Sequence, residues 1–321
     1  EIRRGVRMSD PPELRHRRFW ENLARQIEPE LQGQPARLDV YLRFFEREII
    51  RDTRLFACKL AALRVDGVTR VVGLLEYQEQ IDALHRLLET LQLGPIDSSI
   101  ELAPSSAVRD SPFAVVAAER SFLRRDPTEK SEVVNEALRG EPVFLLDLSA
   151  DHRRFLCHSA DGYVGWITVH DVERIPAERL TAILNPGPPR RPDLIETAIA
   201  DAMSRIGAAY VWGGRSDAGV DCSGLVQRAF AAAGVHLPRD AEQQALAGRL
   251  VATRGYRDAL RRGDILFFLG RRGFVAHTGI YLGEGRFVES ANEGVKISMF
   301  NDEAERTRRD ESFCFAKRVI D

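Results

Sequence analysis

A cysteine at the start of a predicted helix is the residue of this sequence whose type and setting most favour nucleophilic chemistry. Cys222 lies in the stretch GVDCSGLVQRAF, where a polar break precedes apolar residues at helical spacing. Asp221 is a suitable N-cap, so Cys222 falls in the first turn of that helix. The partial positive charge of a helix N-terminus lowers the pKa of a thiol and favours the thiolate. The alternative is that Cys222 is one more small, buried core residue.

A thiolate nucleophile needs a base within hydrogen-bonding reach, and histidine usually fills that role. The sequence holds seven histidines, and His236 and His277 lie in the same C-terminal part of the chain as Cys222. His236 follows the glycine that ends the helix and is expected in an exposed turn. His277 begins the apolar run VAHTGIYLG, which predicts a strand. The sequence therefore predicts that Cys222 pairs with His277.

The elements that position this pair are helices followed by strands. DLIETAIADAMSRIG predicts one helix, and the cysteine helix that follows is expected to end at Gly234. Its predicted buried face consists of Leu225, Val226, Ala229, Phe230 and Ala233. Apolar runs then predict strands in GDILFFL, VAHTGIYLG, RFVESA, GVKISMF and SFCFAKRVI. Helices before strands predict an α+β fold with the helices packed on an antiparallel sheet.

Changes in composition divide the chain into four predicted segments. Residues 1–110 predict a small helical and α+β region, to which no chemistry is assigned. It includes helices in RFWENLARQI, LDVYLRFFEREII and EQIDALHRLLETLQLG (ended by Gly94) and a hairpin at VDGVT. Residues 111–184 hold short strands between turns and predict a small β-barrel. Residues 185–192, NPGPPRRP, predict a semi-rigid linker before the catalytic domain at 193–321.

The remaining cysteines predict no cofactor chemistry. Cys58, Cys157 and Cys314 lie in strand-like runs and are expected to be buried. The sequence has no CxxC pair, so a cysteine-based zinc site is not expected. Four cysteines in 321 residues do not form a disulfide framework either. No metal or organic cofactor is therefore predicted.

The motifs around Cys222 and His277 resemble the NlpC/P60 family of cysteine peptidases. YVWGGRSDAGVDCSGLVQRAF, LPRDAEQQ, RRGDILFF and VAHTGIYLGEGRFVES occur in the order typical of that family. The resemblance covers roughly residues 193–320 and implies a compact papain-like fold. It also implies that Cys222 is the nucleophile and His277 the general base, and that the substrates are peptidoglycan stem peptides. In such enzymes the cleaved bond typically follows γ-D-glutamate.

The third catalytic position departs from the usual pattern of the family. The resemblance implies a polar residue, often histidine, 12 residues after the base, and Glu289 occupies that position here. A carboxylate can hold the imidazole in one tautomer and stabilise the imidazolium. Glu289 is therefore expected to be the third catalytic residue, with Asn292 as an alternative. Because the departure also fits weakened activity, a decayed wall-binding protein remains an alternative reading.

An oxyanion hole is also expected. The backbone N–H of Cys222 at the helix start is one candidate donor, and the Tyr210 hydroxyl, which opens the YVWGG motif, is another. Tyr210 and Trp212 have the alternative reading of aromatic core residues, and for Trp212 the core is the expectation. Gly213 and Gly214 are expected to allow close approach of the chain to the cysteine helix.

The middle segment resembles a bacterial SH3 domain, with DGYVGW as its most specific part. An SH3-like barrel before an NlpC/P60 domain resembles γ-D-glutamyl-L-diamino acid endopeptidases, which implies a substrate with a free N-terminal L-alanine. Asp221, assisted by Ser223, is then the candidate that binds the ammonium group, and helix capping is its alternative role. Tyr163 and Glu136 of the barrel are expected to narrow the cleft. Ala241 replaces a serine that some relatives carry after LPRD, so one substrate contact is missing.

The composition sets outer limits on function. A net charge of −2 gives no basic field for nucleic acid, and no apolar run reaches the roughly 20 residues of a membrane span. The predicted partners are peptides of the type L-Ala-γ-D-Glu-diamino acid, and the alternative enzyme is an amidase or acyltransferase of the same superfamily. The chain begins at Glu1 rather than Met, which suggests processing. Both an extracytoplasmic site and cytoplasmic recycling of murein peptides fit the sequence, and it leaves the oligomeric state open.

Overall fold

The computed structural model describes residues 38–65, 68–91, 96–271, 273–300 and 309–321. The described residues divide into two compact units. One comprises the described residues between 38 and 105 with Arg271 and Gly273, and the other comprises those of 106–270 and 274–321. The predicted helix RFWENLARQI, the tip of the predicted hairpin at Asp66 and Gly67, and Gly94 lie outside the described residues.

The first unit is a three-stranded sheet with helices. Its elements are α1 (Leu38–Phe45), a π-helical turn (Glu46–Ile50), β1 (Cys58–Val65), β2 (Val68–Leu75), α2 (Gln78–Leu91) and β3 (Ile96–Leu102). The antiparallel pairing of β1 with β2 is the arrangement that the Asp-Gly signal predicts, and β3 adds to β2 in parallel. A parallel connection requires a crossover, which α2 supplies.

The second unit begins with a seven-stranded antiparallel sheet. Its strands are β4 (Phe113–Val116), β5 (Arg120–Arg124), β6 (Val133–Leu138), β7 (Pro142–Leu148), β8 (Arg154–His158), β9 (Val164–Thr168) and β10 (Val172–Arg174). They are ordered β10-β4-β7-β8-β9-β5-β6 around an apolar core that includes Leu123, Val143 and Ile167. A helix that the sequence reading missed, α3 (Ala177–Leu184), follows this sheet.

The proline-rich segment separates α3 from the next helix. That helix, α4 (Pro192–Met203), begins with a proline in its first turn, where no intrahelical N–H is lost. The elements after it are β11 (Arg215–Ser216), β12 (Gly219–Val220), α5 (Cys222–Ala232), α6 (Ala241–Gln244), β13 (Arg249–Thr253), β14 (Ile265–Leu269), β15 (Val275–Gly283), β16 (Arg286–Ala291), β17 (Gly294–Met299) and β18 (Phe313–Arg318).

These elements form the α+β arrangement that the sequence predicts. The sheet is ordered β13-β18-β14-β15-β16-β17, and every pairing in it is antiparallel. Helix α5 packs against β15 and β16 and also against α4. The predicted apolar face of α5 is buried, from Leu225 to Ala233, and Gly234 follows it with φ +77°. The packing of α5 on β15 and β16 brings the start of the helix close to the middle of the sheet.

Hydrogen bonds and ring packing join the seven-stranded sheet to the elements of the six-stranded one within the second unit. The turn after β8 accepts hydrogen bonds at the carbonyl of Ala160, from Leu250 N–H (2.8 Å), and at the carbonyl of Asp161, from the Lys317 ammonium. Tyr256 packs its ring against Phe113 with ring centroids 5.0 Å apart. The DGYVGW turn is thereby held against β13 and β18.

The cysteines other than Cys222 are buried, as expected. Cys58, Cys157 and Cys314 are free thiols inside β1, β8 and β18. Burial raises the pKa of Cys58 and of Cys157 far above the ordinary thiol range, so both are held as unreactive thiols.

Candidate active site

Cys222 is the first residue of α5, at the point where the helix is capped. The Asp221 side chain accepts a hydrogen bond from Gly224 N–H at 2.7 Å, and Asp221 itself has extended backbone angles. The Cys222 side chain is therefore presented by a helix N-terminus, where unpaired backbone N–H groups favour negative charge. It is 8% exposed, so the sulfur is largely, but not fully, removed from solvent.

His277 of β15 lies close enough to Cys222 to act on the pKa of its thiol. Nε2 of His277 is occupied by Glu289, which leaves Nδ1 as the ring nitrogen available to the thiol. Burial would raise the pKa of Cys222, but the hydrogen bond and charge of His277 outweigh burial and lower it below its ordinary value. A thiol with this environment readily gives its proton to the adjacent imidazole.

Glu289 reaches His277 because of the strand register. It pairs with Gly279 on β15 and with Lys296 on β17, so residues two positions along each neighbouring strand lie diagonally on the same face. His277 is one of these and donates through Nε2 to Oε2 of Glu289 at 2.5 Å. Ser298 is the other and donates to Oε1 at 2.7 Å. The carboxylate is completely buried.

A guanidinium group completes the surroundings of Glu289. Arg309 approaches Oε2 with its terminal nitrogen at 2.8 Å and Oε1 with Nε at 3.2 Å. Burial favours the neutral acid, but His277, Arg309 and Ser298 together lower the pKa of Glu289 to about 2. Burial also acts to lower the pKa of His277, yet its hydrogen bonds to Cys222 and Glu289 raise it above its ordinary value. The three groups are thus poised for a thiolate–imidazolium pair beside a carboxylate.

The residues that the sequence offered as competitors lie elsewhere. Asn292 is exposed in the turn between β16 and β17, and His236 is exposed after the end of α5. No hydrogen bond within the described part of the chain joins either residue to Cys222 or His277. The geometry therefore favours Glu289 over Asn292 for the third position.

Tyr210 lies beside the cysteine, whereas Trp212 does not enter the core. Tyr210 forms a bridge with Val220, two residues before Cys222. Burial and the nearby Cys222 and Asp221 raise the pKa of Tyr210 to about 12, so its hydroxyl stays protonated and can donate. The expectation that Trp212 is a core residue is wrong, because its side chain is 87% exposed at the turn that carries the motif.

The glycines of the same motif allow the close approach that the sequence predicts. A Cβ on Gly224 of α5 would lie 2.1 Å from the carbonyl oxygen of Gly214, and a Cβ on Gly214 would lie 2.6 Å from that of Gly219. Gly213 has φ +78°, and its N–H donates to the Asp221 carboxylate at 2.8 Å. The YVWGG segment is therefore in direct backbone contact with the first turn of α5.

Asp221 is held in a dense local network. Besides Gly213 and Gly224, it binds the Arg239 guanidinium at 2.6 Å, and Arg239 also donates to the Ser223 hydroxyl at 2.8 Å. Ser223 in turn donates to Asp221 at 3.4 Å. These contacts favour the capping role that the sequence left open, since the carboxylate is already neutralised by Arg239. Binding of a substrate amine by Asp221 and Ser223 stays a prediction.

The barrel residues are not linked to this cluster by any hydrogen bond or ion pair of the described residues. Glu136 is exposed on β6 and forms an ion pair with Arg120 at 3.7 Å. Tyr163 is half-buried in the DGYVGW turn, where its N–H donates to Asp161. Ala241 begins α6. Narrowing of the cleft by Glu136 and Tyr163 remains a prediction.

The sequence reading missed Ser298, Arg309 and Arg239. Ser298 becomes a neighbour of Glu289 through the register of β16 and β17, and Arg309 does so because the segment before β18 folds back onto the sheet. No short motif surrounds either residue. Arg309 lies in the polar stretch AERTRRDESF among other arginines, so spacing does not single it out. Arg239 could have been found, because it lies in the LPRD motif.

Metal-binding clusters and membrane-spanning helices are both absent from the described residues. Histidine, cysteine and acidic side chains of the described ranges do not cluster in groups of three or more that suit a metal ion. Within the same ranges, no helix is both long and apolar enough to cross a membrane.

Comparison with known proteins identifies two domains. Residues 207–310 match the NlpC/P60 family, and residues 123–172 match the bacterial dipeptidyl-peptidase SH3 domain. The chain is 38% identical over 109 residues to the bifunctional muramidase/DL-endopeptidase CwlT of Bacillus subtilis (strain 168), covering 33% of this chain and 32% of that protein. It is 40% identical over 96 residues to the γ-D-glutamyl-L-lysine dipeptidyl-peptidase of the same strain, covering 29% and 31%.

Among solved structures, an NlpC/P60 family protein from Bacillus cereus ATCC 10987 is similar, with 24% identity and a TM-score of 0.35. That similarity covers 67% of this chain and 66% of the other. The two B. subtilis proteins are matched over about a third of their length. The two family matches lie where the sequence showed its two resemblances, and the NlpC/P60 match includes α5 and every strand of the six-stranded sheet except β18. Residues 207–310 of this chain are therefore similar to the NlpC/P60 family, and residues 123–172 before them to the bacterial dipeptidyl-peptidase SH3 domain.

Proposed function

We propose that the chain is a cysteine endopeptidase that hydrolyses the γ-D-glutamyl-L-diamino acid bond of peptidoglycan stem peptides. The observation that carries the proposal is the Cys222 thiol at a helix start beside His277, whose Nε2 is hydrogen-bonded to the buried Glu289. The SH3 domain of the dipeptidyl-peptidase type and the γ-D-glutamyl-L-lysine dipeptidyl-peptidase among the relatives support the choice of bond.

The first half of the reaction forms a thioester. The Cys222 thiolate attacks the γ-carbonyl carbon of D-glutamate, and a new S–C bond replaces the carbonyl π bond to give an oxyanion. The backbone N–H of Cys222 and the Tyr210 hydroxyl are the donors available to that oxyanion. When the oxyanion collapses, the C–N bond breaks and the His277 imidazolium gives its proton to the departing amine of the diamino acid.

The second half hydrolyses the thioester. Neutral His277 takes a proton from water, and the resulting hydroxide adds to the thioester carbon. Collapse of this second oxyanion breaks the C–S bond, releases L-Ala-γ-D-Glu and restores the thiolate–imidazolium pair. Glu289 keeps Nε2 protonated throughout, so Nδ1 is the nitrogen that exchanges the proton.

A requirement for a free N-terminal L-alanine is part of the proposal. Its support is the Asp221 carboxylate immediately before the nucleophile, although Arg239 already shares that charge. Replacing Asp221 with Asn keeps an oxygen for the cap and removes the negative charge. Asp221→Asn is therefore expected to raise the KM for the free-amine peptide more than it lowers kcat.

The test compares L-Ala-γ-D-Glu-L-lysine with its N-acetylated form, for the wild type and for Cys222→Ala. The wild type is expected to cleave the free-amine peptide, and Cys222→Ala is expected to be inactive. Equal cleavage of both peptides would exclude recognition of the amine. Absence of cleavage by a folded wild type, with an unreactive Cys222, would instead favour a wall-binding protein that has lost catalysis.

A further inference from the structure

The buried Glu289 carboxylate has a guanidinium partner that the catalytic scheme above does not use. Arg309 contacts both carboxylate oxygens, at 2.8 and 3.2 Å. Its side chain is 13% exposed and that of Glu289 is fully buried. Two nearly parallel contacts between a guanidinium and a carboxylate fix direction as well as charge. The contact with Arg309 therefore sets the orientation of the Glu289 carboxylate, which in turn holds His277.

Arg309 is itself fixed by aromatic packing. Its guanidinium lies 5.4 Å from the ring centroid of Phe268 on β14, and Phe268 also packs against His277 with centroids 5.6 Å apart. The next residue, Asp310, forms an ion pair with Arg257 at 2.6 Å. Arg309 thus approaches Glu289 from a segment that is anchored independently of the catalytic groups.

The other described groups in hydrogen-bond contact with the carboxylate are an imidazole and a hydroxyl. His277 comes from β15 and Ser298 from β17. Lys296 pairs with Glu289 in the strand register, but its ammonium faces Glu293 at 3.6 Å. Within the described residues, the cations in direct contact with Glu289 are therefore Arg309 and, when it is protonated, His277.

This arrangement has a consequence for the charge balance. A buried carboxylate without a cation tends to take up a proton, and a protonated Glu289 would no longer accept from Nε2 of His277. Pairing with Arg309 prevents this outcome, because the guanidinium favours the ionised carboxylate and leaves an oxygen of Glu289 to accept from Nε2.

We propose that Arg309 is a positioning residue of the active site, which keeps Glu289 ionised and directed at His277 so that the Cys222 thiol is deprotonated near neutral pH. The proposal rests on the proposed function only in treating Cys222 and His277 as the reactive pair. It adds a fourth residue to the cysteine, histidine and glutamate.

A double-mutant cycle tests it through the reactivity of the thiol, without any peptide. The rate of alkylation of Cys222 by iodoacetamide is measured between pH 4 and 9, with mass spectrometry to confirm the labelled residue. The variants are Arg309→Met, Glu289→Gln and the double variant. Arg309→Met is expected to slow alkylation at pH 7 by about 10-fold and to move the acid limb of the profile to higher pH. In the Glu289→Gln background the same change is expected to alter the rate by less than about 2-fold.

The direction of the pH shift follows from protonation of the unpaired carboxylate. If Glu289 is protonated, His277 loses its acceptor and becomes a weaker base for the thiol, which moves formation of the thiolate to higher pH. A Glu289 that stays ionised without Arg309 would instead favour the His277 imidazolium. An acid limb that stays in place or moves to lower pH in Arg309→Met would therefore overturn the proposal. Arg309→Lys keeps the positive charge but loses the two-nitrogen contact of the guanidinium. The acid limb of its alkylation profile should therefore stay close to that of the wild type.

Arg205→Met is a matched control. Arg205 is 14% exposed, forms ion pairs with Asp201 and Asp217, and lies in the same domain without contact to Glu289. Its replacement should leave the alkylation profile unchanged. An equal loss for Arg309→Met in both backgrounds would overturn the proposal, since it would show a packing role alone. If Arg309→Met does not fold, Arg309→Lys provides the test. The proposal would be overturned if the acid limb of the Arg309→Lys alkylation profile were shifted from that of the wild type as far as the Glu289→Gln limb is.

The outcomes also separate this proposal from the proposed function. A wild-type Cys222 that is unreactive at neutral pH removes the proposed function. A reactive wild type with additive effects of Arg309 and Glu289 removes the role of Arg309 alone.

Discussion

At the scale of single residues, the reactivity of the site depends on opposing effects at three buried groups. Burial penalises the charged forms of Cys222, His277 and Glu289, and their mutual contacts more than offset it. The sequence indicated these three residues, by helix position, strand pattern and family spacing. It did not indicate Ser298, because cross-strand neighbours follow from register rather than from local spacing. It did not indicate Arg309 either, because the segment before β18 reaches Glu289 only in the folded chain.

The low pKa of Glu289 predicts a specific loss of stability in acid. Its value of about 2 in the folded protein lies below the ordinary 4.5. The ionised group therefore stabilises the fold above pH 4.5, by about 3 kcal/mol, and this contribution disappears as the pH falls towards 2. Urea unfolding at pH 7 and pH 3 should show a smaller decrease for Glu289→Gln than for the wild type. Identical decreases would contradict the assigned direction of the pKa shift.

At the scale of elements, the start of α5 is shaped by backbone contact as much as by its cap. The YVWGG segment lies against the first helical turn, where Gly224 leaves no room for a side chain beside the carbonyl of Gly214. Asp221 ties both segments together through Gly213 and Gly224. The position of Cys222 is thus set jointly by the helix and by the loop that precedes it.

This contact predicts that Gly224→Ala is destabilising, although Gly to Ala within a helix usually stabilises by about 0.5–1 kcal/mol. The added Cβ would lie 2.1 Å from a backbone oxygen that no side-chain motion can move. We expect a loss of about 3 kcal/mol in the free energy of unfolding, together with slower alkylation of Cys222. Thermal and urea denaturation measure the first effect.

Gly234→Ala at the other end of the helix provides the comparison. Gly234 has φ +77°, but nothing lies within 4 Å of its added Cβ. Its replacement should lower the free energy of unfolding by about 1 kcal/mol and leave Cys222 reactivity unchanged. A Gly224→Ala protein as stable as the wild type would show that the two segments can separate.

At the scale of the second unit, the SH3 domain is joined to the catalytic sheet through a buried lysine. The Lys317 side chain extends from β18 to the carbonyl of Asp161 in the DGYVGW turn. Burial lowers the pKa of Lys317 to about 8, and the Asp161 carboxylate only partly opposes this effect. The contact lies at β13 and β18, whereas His277 and Glu289 lie on β15 and β16.

Lys317 predicts a pH dependence in the alkaline range, far from that of Glu289. Its folded pKa of about 8 lies below the ordinary 10.5, so the unfolded chain binds more protons between these values. The free energy of unfolding should therefore rise with pH from about 8 to 10.5, relative to a Lys317→Met variant that lacks this group. Urea unfolding of both proteins at pH 7.5 and pH 10 measures the difference. A constant difference would mean that Lys317 titrates normally.

The sequence by itself predicted the order of the segments, the helix face that anchors α5, and Cys222, His277 and Glu289 as the proposed catalytic residues. These features depend on local periodicity, on capping and on short motifs, all of which the sequence records directly. The helix α3 and the exposure of Trp212 escaped it, because propensity and average burial do not reveal where a neighbouring element leaves a side chain uncovered. Only the tertiary structure placed Ser298 and Arg309 at Glu289 and Arg239 at Asp221. Those contacts join residues from different elements, and the charge balance of a buried site is the sum over all of them.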